Sequence, residues 1–141
     1  MNEPLAATPV SVAVVEHAGC YLVGTRPADV PLAGYSEFPG GKCLSDESPL
    51  EAAERECYEE TGLSVVARGL RLRITHAYDH GTVVLHFVDC AVAGSASGTE
   101  PRPPYRWVPA AQLVQCRFPL ANRPVVEQLI AAATARADRP R

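Results

Sequence analysis

The sequence predicts an α/β fold of the α+β kind, a central mixed β-sheet covered by helices. Three observations carry this. β-Branched runs stand on both sides of a central helical stretch, and a second helical stretch closes the chain. The apolar face of a sheet must also be buried under another layer. The 141 residues, 47% apolar and 21% charged, suffice for one folded unit with a real core. A single domain over residues 1–141 is expected, with 1–8 and 136–141 as frayed ends.

Residues 10–17 (VSVAVVEH) and 20–26 (CYLVGTR) read as strands joined by a turn at Ala18-Gly19. Pro27 and Pro31 mark a loop that leads to SEFPGGK, whose Pro-Gly-Gly reads as a breaker with exposed backbone. Ser48 is a good N-cap and Pro49 suits a first turn, so a helix opens there and Gly62 closes it. Leu70, Leu72 and Ile74 alternate with Arg71, Arg73 and Thr75, as in a half-buried strand. Residues 82–92 are more continuously apolar and suit a central strand. A Gly/Ser/Pro loop over 94–104, a short strand at Arg106-Trp107-Val108 and a helix over 124–136 complete the order.

The net charge of −3 argues against a nucleic-acid polymer or an anionic membrane as partner, since either wants a basic stripe. No apolar run of eighteen residues and no signal-peptide pattern is present. The five cysteines (Cys20, Cys43, Cys57, Cys90, Cys116) are odd in number and form no C-x-x-C pair. A cytoplasmic protein with reduced, inert thiols is expected.

The informative stretch is GKCLSDESPLEAAERECYEETGL, residues 41–63. Seven of its first twenty residues are carboxylates, although like charges at i,i+4 destabilise a helix. At about 100° per residue, Leu50, Ala53, Cys57 and Thr61 share an apolar stripe, with Glu56, Glu59 and Glu60 crowded beside it. A solvated face would carry i,i+4 lysines; this one carries Arg55, whose guanidinium can hold a carboxylate bidentately. Hard cations need such oxygen clusters, and Mg²⁺ takes one or two carboxylates plus water and phosphate oxygens. The edge therefore reads as a dock for a metal–phosphate substrate.

The same residues resemble a known signature. Gly41, Glu47, Arg55, Glu56, Glu59, Glu60 and Gly62 match every fixed position of the Nudix hydrolase box, G-x5-E-x7-R-E-U-x-E-E-x-G-U with U a bulky aliphatic. Chance agreement is on the order of one in a hundred million per start position at ordinary residue usage. Cys57 departs from the aliphatic usual there, a change of packing without chemistry.

The resemblance implies an α/β/α sandwich and water attack on a diphosphate with Mg²⁺ or Mn²⁺. By position it assigns Glu56, Glu59 and Glu60 as metal ligands, with the Gly40 carbonyl as a backbone ligand. Glu56 is the leading candidate for the base. Arg55 would orient Glu56, and Glu47 would support the metal shell or Arg55. Glu100 is a candidate for a further ligand or base, set against a solvated loop carboxylate. His76, His80 and His86 lack metal spacing and receive no ligand role.

Outside the box, YLVGTRPADVPLAGYSEFPGGK and CRFPLANRPVVEQL look like the corresponding runs of MutT-type 8-oxo-dGTP diphosphatases. That likeness maps Asn122 onto the residue that binds the oxidised guanine edge, a task for an amide with both donor and acceptor. An N-cap of the last helix is the structural alternative for Asn122. Arg26 is a candidate for sugar or phosphate contact, against a plain surface cation. Phe38 is a candidate wall of the base pocket, against a core aromatic. The implied activity converts a (deoxy)nucleoside triphosphate to monophosphate and pyrophosphate, with 8-oxo-dGTP first and nucleotide-pool sanitation as its purpose. CTP, its methylated forms or a nucleoside-diphosphate derivative form the rival substrates, and a non-catalytic nucleotide sensor ranks below both. ADP-ribose also ranks lower, because RITHAYDHG lacks a proline common in such enzymes. A monomer or a homodimer is expected.

Overall fold

The computed structural model describes residues 7–79, 81–94 and 99–137. Their order is β1 (Thr8–His17), β2 (Cys20–Thr25), β3 (Ser36–Glu37), β4 (Gly40–Lys42), α1 (Pro49–Thr61), β5 (Val65–Tyr78), β6 (Gly81–Val92), β7 (Arg106–Pro109) and α2 (Arg123–Ala137). Short 3₁₀ turns occupy Ala110–Gln115 and Leu120–Asn122.

The strand order is β3-β2-β1-β6-β5, with β4 added to β1 and β7 to β2. β1 and β6 run parallel from Thr8↔Val83 to Glu16↔Ala91, while the other pairings are antiparallel. The sheet is mixed, as expected. On its other side β1 pairs first with β4, at Val10 to Val12, and then with β2, at Glu16 and His17. That splay admits the segment 36–42 between the two strands and brings Gly40 and Gly41 beside α1. At the β1–β2 turn Ala18 and Gly19 have φ of 50° and 77°, the left-handed pair that a two-residue hairpin loop requires.

β1 is buried on both faces. Val12 and Val14 pack with Phe87 and with Val125, Val126 and Leu129 of α2. Ala13 and Val15 pack with Leu22, Val88 and with Ala53 and Cys57 of α1. The alternation of one strand thus feeds two cores, and the fold is an α/β/α sandwich. Leu129 is fully buried; Leu129→Ala would cost ~2–5 kcal/mol and loosen α2.

Several expectations need correction. Thr8 pairs with Val83 and α2 runs through Ala137, so 8 and 136–137 belong to regular elements; residues 1–6 and 138–141 lie outside the described residues. β5 starts at Val65, well before the alternating stretch. Leu70 does not join the core and is 50% exposed. The cause is a register shift: Leu70 pairs with Val88 and Leu72 with Phe87. Those two neighbours on β6 point to opposite faces, so a bulge at Arg71 breaks the alternation and frees Arg71 to donate to Asp89 at 2.6 Å.

Among the described residues no helix is long and apolar enough to cross a membrane. All five thiols are free, with Cys57 and Cys90 buried and Cys20, Cys43 and Cys116 only partly so. Burial pushes the Cys57 thiol up to about 11 and that of Cys90 to about 12, which keeps both as unreactive packing groups.

Candidate active site

The site is built on α1 and on the strand that precedes it. Ser48 caps the helix: its Oγ accepts the Glu51 N–H at 3.1 Å, and Glu51 accepts the Ser48 N–H at 3.0 Å. This reciprocal pair is a capping box. Gly62 ends the helix at φ 79°, its N–H donating to the Tyr58 carbonyl at 2.9 Å.

Gly40 and Gly41 form a strand rather than the breaker expected from their composition. β4 pairs with β1 through Val12↔Gly40, Ser11↔Gly41 and Val10↔Lys42. Both glycines serve close approach. A Cβ on Gly40 would run into the Ser11 carbonyl, and one on Gly41 would lie 2.6 Å from the Glu56 carboxyl carbon. The strand therefore lets the Glu56 carboxylate lie directly on backbone.

Arg55 is the hub of the acidic edge. Its Nε donates to Glu47 Oε2 at 2.7 Å and its Nη2 to Glu47 Oε1 at 2.9 Å, a bidentate pair. Nη1 donates to Glu56 Oε1 at 2.9 Å and to Glu59 Oε2 at 3.1 Å, and Nη2 also reaches the Lys42 carbonyl at 3.1 Å. One cation thereby offsets the mutual repulsion of three carboxylates. Arg55 and the Leu44 N–H hold the Glu47 carboxyl at about 2, and Glu47, first, raises the Arg55 guanidinium above its ordinary range.

Glu60 stands apart from that hub. Its Oε2 accepts the Gly40 N–H at 3.2 Å and the Tyr105 O–H at 2.8 Å. Burial pushes the Glu60 carboxyl above the usual carboxylate range, against the pull of Tyr105 and the Gly40 amide. Among the described residues no three His, Cys, Asp or Glu groups converge as a ready-made metal cluster, because Arg55 draws Glu56 and Glu59 one way while Tyr105 and Gly40 draw Glu60 another. The donors along the edge are nonetheless all carboxylate oxygens, the set that suits Mg²⁺ or Mn²⁺. The space that a Gly41 Cβ would fill is left to one of them. The residues fit such an ion.

Next to this edge opens a cleft of about 740 Å³, whose lining includes Gly40 and Gly41 together with Arg26, Phe38 and Asn122. Three residues far apart in sequence thus meet in one place. Phe38 is a core aromatic that also lines the cleft: it is 5% exposed, stacks on Phe118 at 4.8 Å between ring centroids, and belongs to the α2-side core. Arg26 is partly exposed and anchored within its own loop. Its Nε donates to the Pro31 carbonyl at 2.8 Å, its Nη1 lies 3.6 Å from Glu37 Oε1, and its backbone ties to Gly34 and Tyr35.

Asn122 immediately precedes α2, half-buried on the cleft wall. Its side chain makes no hydrogen bond among the described residues, so the capping alternative is not realised. Glu100 is exposed and takes no part in the Arg55 network. His76 lines the cleft against Tyr78, His86 Nδ1 stands 3.2 Å from the Val10 carbonyl, and His80 lies outside the described residues.

Two site residues escape sequence reasoning. Glu37 lines the cleft beside Arg26, with its carboxyl pushed upward by burial; a lone acid between Ser36 and Phe38 gives no local signal. Tyr105 reaches Glu60 across 45 positions, and only tertiary structure reveals that.

A mixed sheet between two helices, with an arginine-centred acidic helix beside a deep cleft, defines a Nudix-type hydrolase. The NUDIX domain family model matches residues 10–128. The chain is 30% identical to CTP pyrophosphohydrolase of Escherichia coli (strain K12), over 90% of this chain and 94% of that protein. It is 32% identical to 8-oxo-dGTP diphosphatase of the same organism, over 77% and 84%. Among solved structures, the E. coli ORF135 protein superposes with a TM-score of 0.69 at 27% identity, over 94% of this chain and 95% of that one. A MutT structure, described for Aliivibrio salmonicida and Vibrio cholerae, gives 0.67 at 27% identity, over 88% of this chain and 96% of that one. The chain belongs to the Nudix hydrolase family, and within it to the MutT type of enzymes that act on nucleotides as pyrophosphohydrolases.

Proposed function

We propose that the chain is a Mg²⁺- or Mn²⁺-dependent nucleoside triphosphate pyrophosphohydrolase that prefers 8-oxo-dGTP and releases its monophosphate and pyrophosphate. The observation that carries the choice of base is the Asn122 amide, which lines the cleft with no hydrogen bond of its own among the described residues. An amide presents a donor and an acceptor together, the pattern a purine edge with an added N–H and C=O requires.

In this reading Glu56, Glu59 and Glu60 hold the cation with the Gly40 carbonyl, and Glu47 supports them through Arg55. A bound cation would supply neutralisation of phosphate charge and a lowered pKa for a bound water. Glu56, fixed by Arg55 at 2.9 Å and backed by Gly41, takes the proton of the attacking water. The water oxygen bonds to phosphorus, the phosphoanhydride P–O bond breaks, and pyrophosphate leaves. Arg26 and Phe38 position sugar–phosphate and base, which is the larger part of the protein's contribution. Glu100 is the second candidate for the base. The substrate is a small nucleotide rather than a nucleic-acid polymer, and the role is nucleotide-pool sanitation in the cytoplasm by a single domain.

A second reading, CTP as substrate, is supported by similarity to a CTP pyrophosphohydrolase along nearly the whole chain. The test is a panel of 8-oxo-dGTP, dGTP, CTP, 5-methyl-CTP and ADP-ribose, with released pyrophosphate and monophosphate measured with and without Mg²⁺. The expected result is the highest kcat/KM for 8-oxo-dGTP, abolished without the cation. A higher value for CTP would install the second reading, and no pyrophosphate from any triphosphate would sink both.

A further inference from the structure

Tyr105 and Gly40 donate to the same oxygen of Glu60, Oε2, at 2.8 and 3.2 Å. The other oxygen, Oε1, accepts from no protein group among the described residues. The phenol is firmly seated. A Cβ on Gly24 would stand 2.7 Å from Tyr105 Cε1, so the ring occupies space that only a glycine leaves, and it packs against the α1-side core. Its backbone N–H donates to the Arg102 carbonyl at 3.0 Å. Arg102 in turn donates from its backbone to the Thr61 carbonyl at 2.8 Å and from Nη1 to the Glu59 carbonyl at 3.1 Å. The segment 102–105 is thereby strapped to the last turn of α1, the turn that carries Glu59 and Glu60.

We propose that Tyr105 is a positioning residue that holds the Glu60 carboxylate by Oε2 and leaves Oε1 as the oxygen offered to a divalent cation. The inference rests on the reading of Glu60 as a cation ligand. A glutamate side chain loses much rotamer freedom on being ordered, and the Tyr105 bond removes that loss before the cation arrives. Partners standing behind a metal ligand commonly change metal affinity by about 10- to 100-fold.

The experiment is Mn²⁺ binding to the nucleotide-free protein, followed by the electron paramagnetic resonance of free Mn²⁺, in wild type, Tyr105→Phe, Glu60→Gln and the double variant. Phenylalanine keeps the ring under Gly24, so the variant should stay folded, with a lower melting temperature from the lost bond to the carboxylate, while the Kd rises by about 10-fold or more. Saturating Mg²⁺ should restore most of the kcat. The double variant should bind no more weakly than Glu60→Gln alone, because the phenol acts only through that carboxylate. An unchanged Kd in Tyr105→Phe, with weakened binding in Glu60→Gln, overturns this inference alone, as do additive losses in the double variant. An unchanged Kd in Glu60→Gln overturns the cation reading and this inference with it.

Discussion

Arg55 grips Glu47 across eight positions by two parallel hydrogen bonds, at 2.7 and 2.9 Å, and that grip has a pH signature. The Glu47 carboxyl sits at about 2 against an ordinary 4.5, chiefly through Arg55. The folded protein therefore binds this proton more weakly than the unfolded chain. The resulting stabilisation is complete above about 4.5 and is lost as pH falls toward about 2. Glu47→Gln should lower the melting temperature at neutral pH, with the gap to wild type closing across that acid window. Thermal melts of both proteins from pH 7 downward check this. A gap that stays constant through the window would mean that shape, not charge, makes the contribution.

The two glycines of β4 should fail in different ways. Gly41→Ala pushes a methyl group into the Glu56 carboxylate, the movable end of a side chain. The fold should survive while kcat falls by ~10²–10⁴-fold, the usual effect of a displaced base. Gly40→Ala instead meets the Ser11 backbone and should cost ~1–3 kcal/mol of stability by overpacking. Melting temperature and kcat on both variants separate the two. Equal stability losses would contradict the contact assigned to each glycine.

The difference between these glycines marks the limit of what the sequence discloses. α1 was legible in full because its signals are local: Ser48, Pro49 and Gly62 sit where the helix ends, and Glu47, Arg55, Glu56, Glu59 and Glu60 follow a fixed spacing. β4 was not, because glycines become a strand only where β1 and β2 splay apart and leave them a partner. Leu70 misled for a similar reason: a bulge set by pairing with β6 reverses a strand whose alternation looked regular. The cleft lies between these cases. Arg26, Phe38 and Asn122 were nominated by resemblance, but their meeting in one cavity depends on the packing of α2 against the sheet.

Glu59 and Glu60 differ in setting, so their amide variants should differ too. Glu59 is 56% exposed at its side chain and, among the described residues, paired only with Arg55, while Glu60 is partly buried with its carboxyl pushed upward by that burial. A raised folded pKa means that the charged form destabilises the fold as pH rises through it. Glu60→Gln should therefore raise the melting temperature at neutral pH without metal, whereas Glu59→Gln should leave it nearly unchanged. Both should lower kcat at limiting Mg²⁺. Near wild-type turnover in both variants at limiting Mg²⁺ would remove them from the cation site.

Asn122 is where the choice of nucleotide is most exposed to test. Its side chain makes no cap bond to α2 among the described residues, so Asn122→Ala should spare the ~0.5–2 kcal/mol that loss of a true cap costs. If the amide reads a base edge in the cleft, its removal leaves a base donor or acceptor unpaired, at ~1–3 kcal/mol. That corresponds to a roughly 5- to 150-fold loss in kcat/KM for the preferred nucleotide, since ~1.4 kcal/mol is tenfold. Nucleotides whose bases never used the amide should lose much less, so selectivity should collapse before activity does. Melting temperature and kcat/KM for 8-oxo-dGTP, dGTP and CTP on this one variant decide the matter. A stable variant with a flattened ranking supports base reading by Asn122. A destabilised variant that keeps the ranking among the three returns Asn122 to the helix end and removes the reason for placing oxidised guanine first.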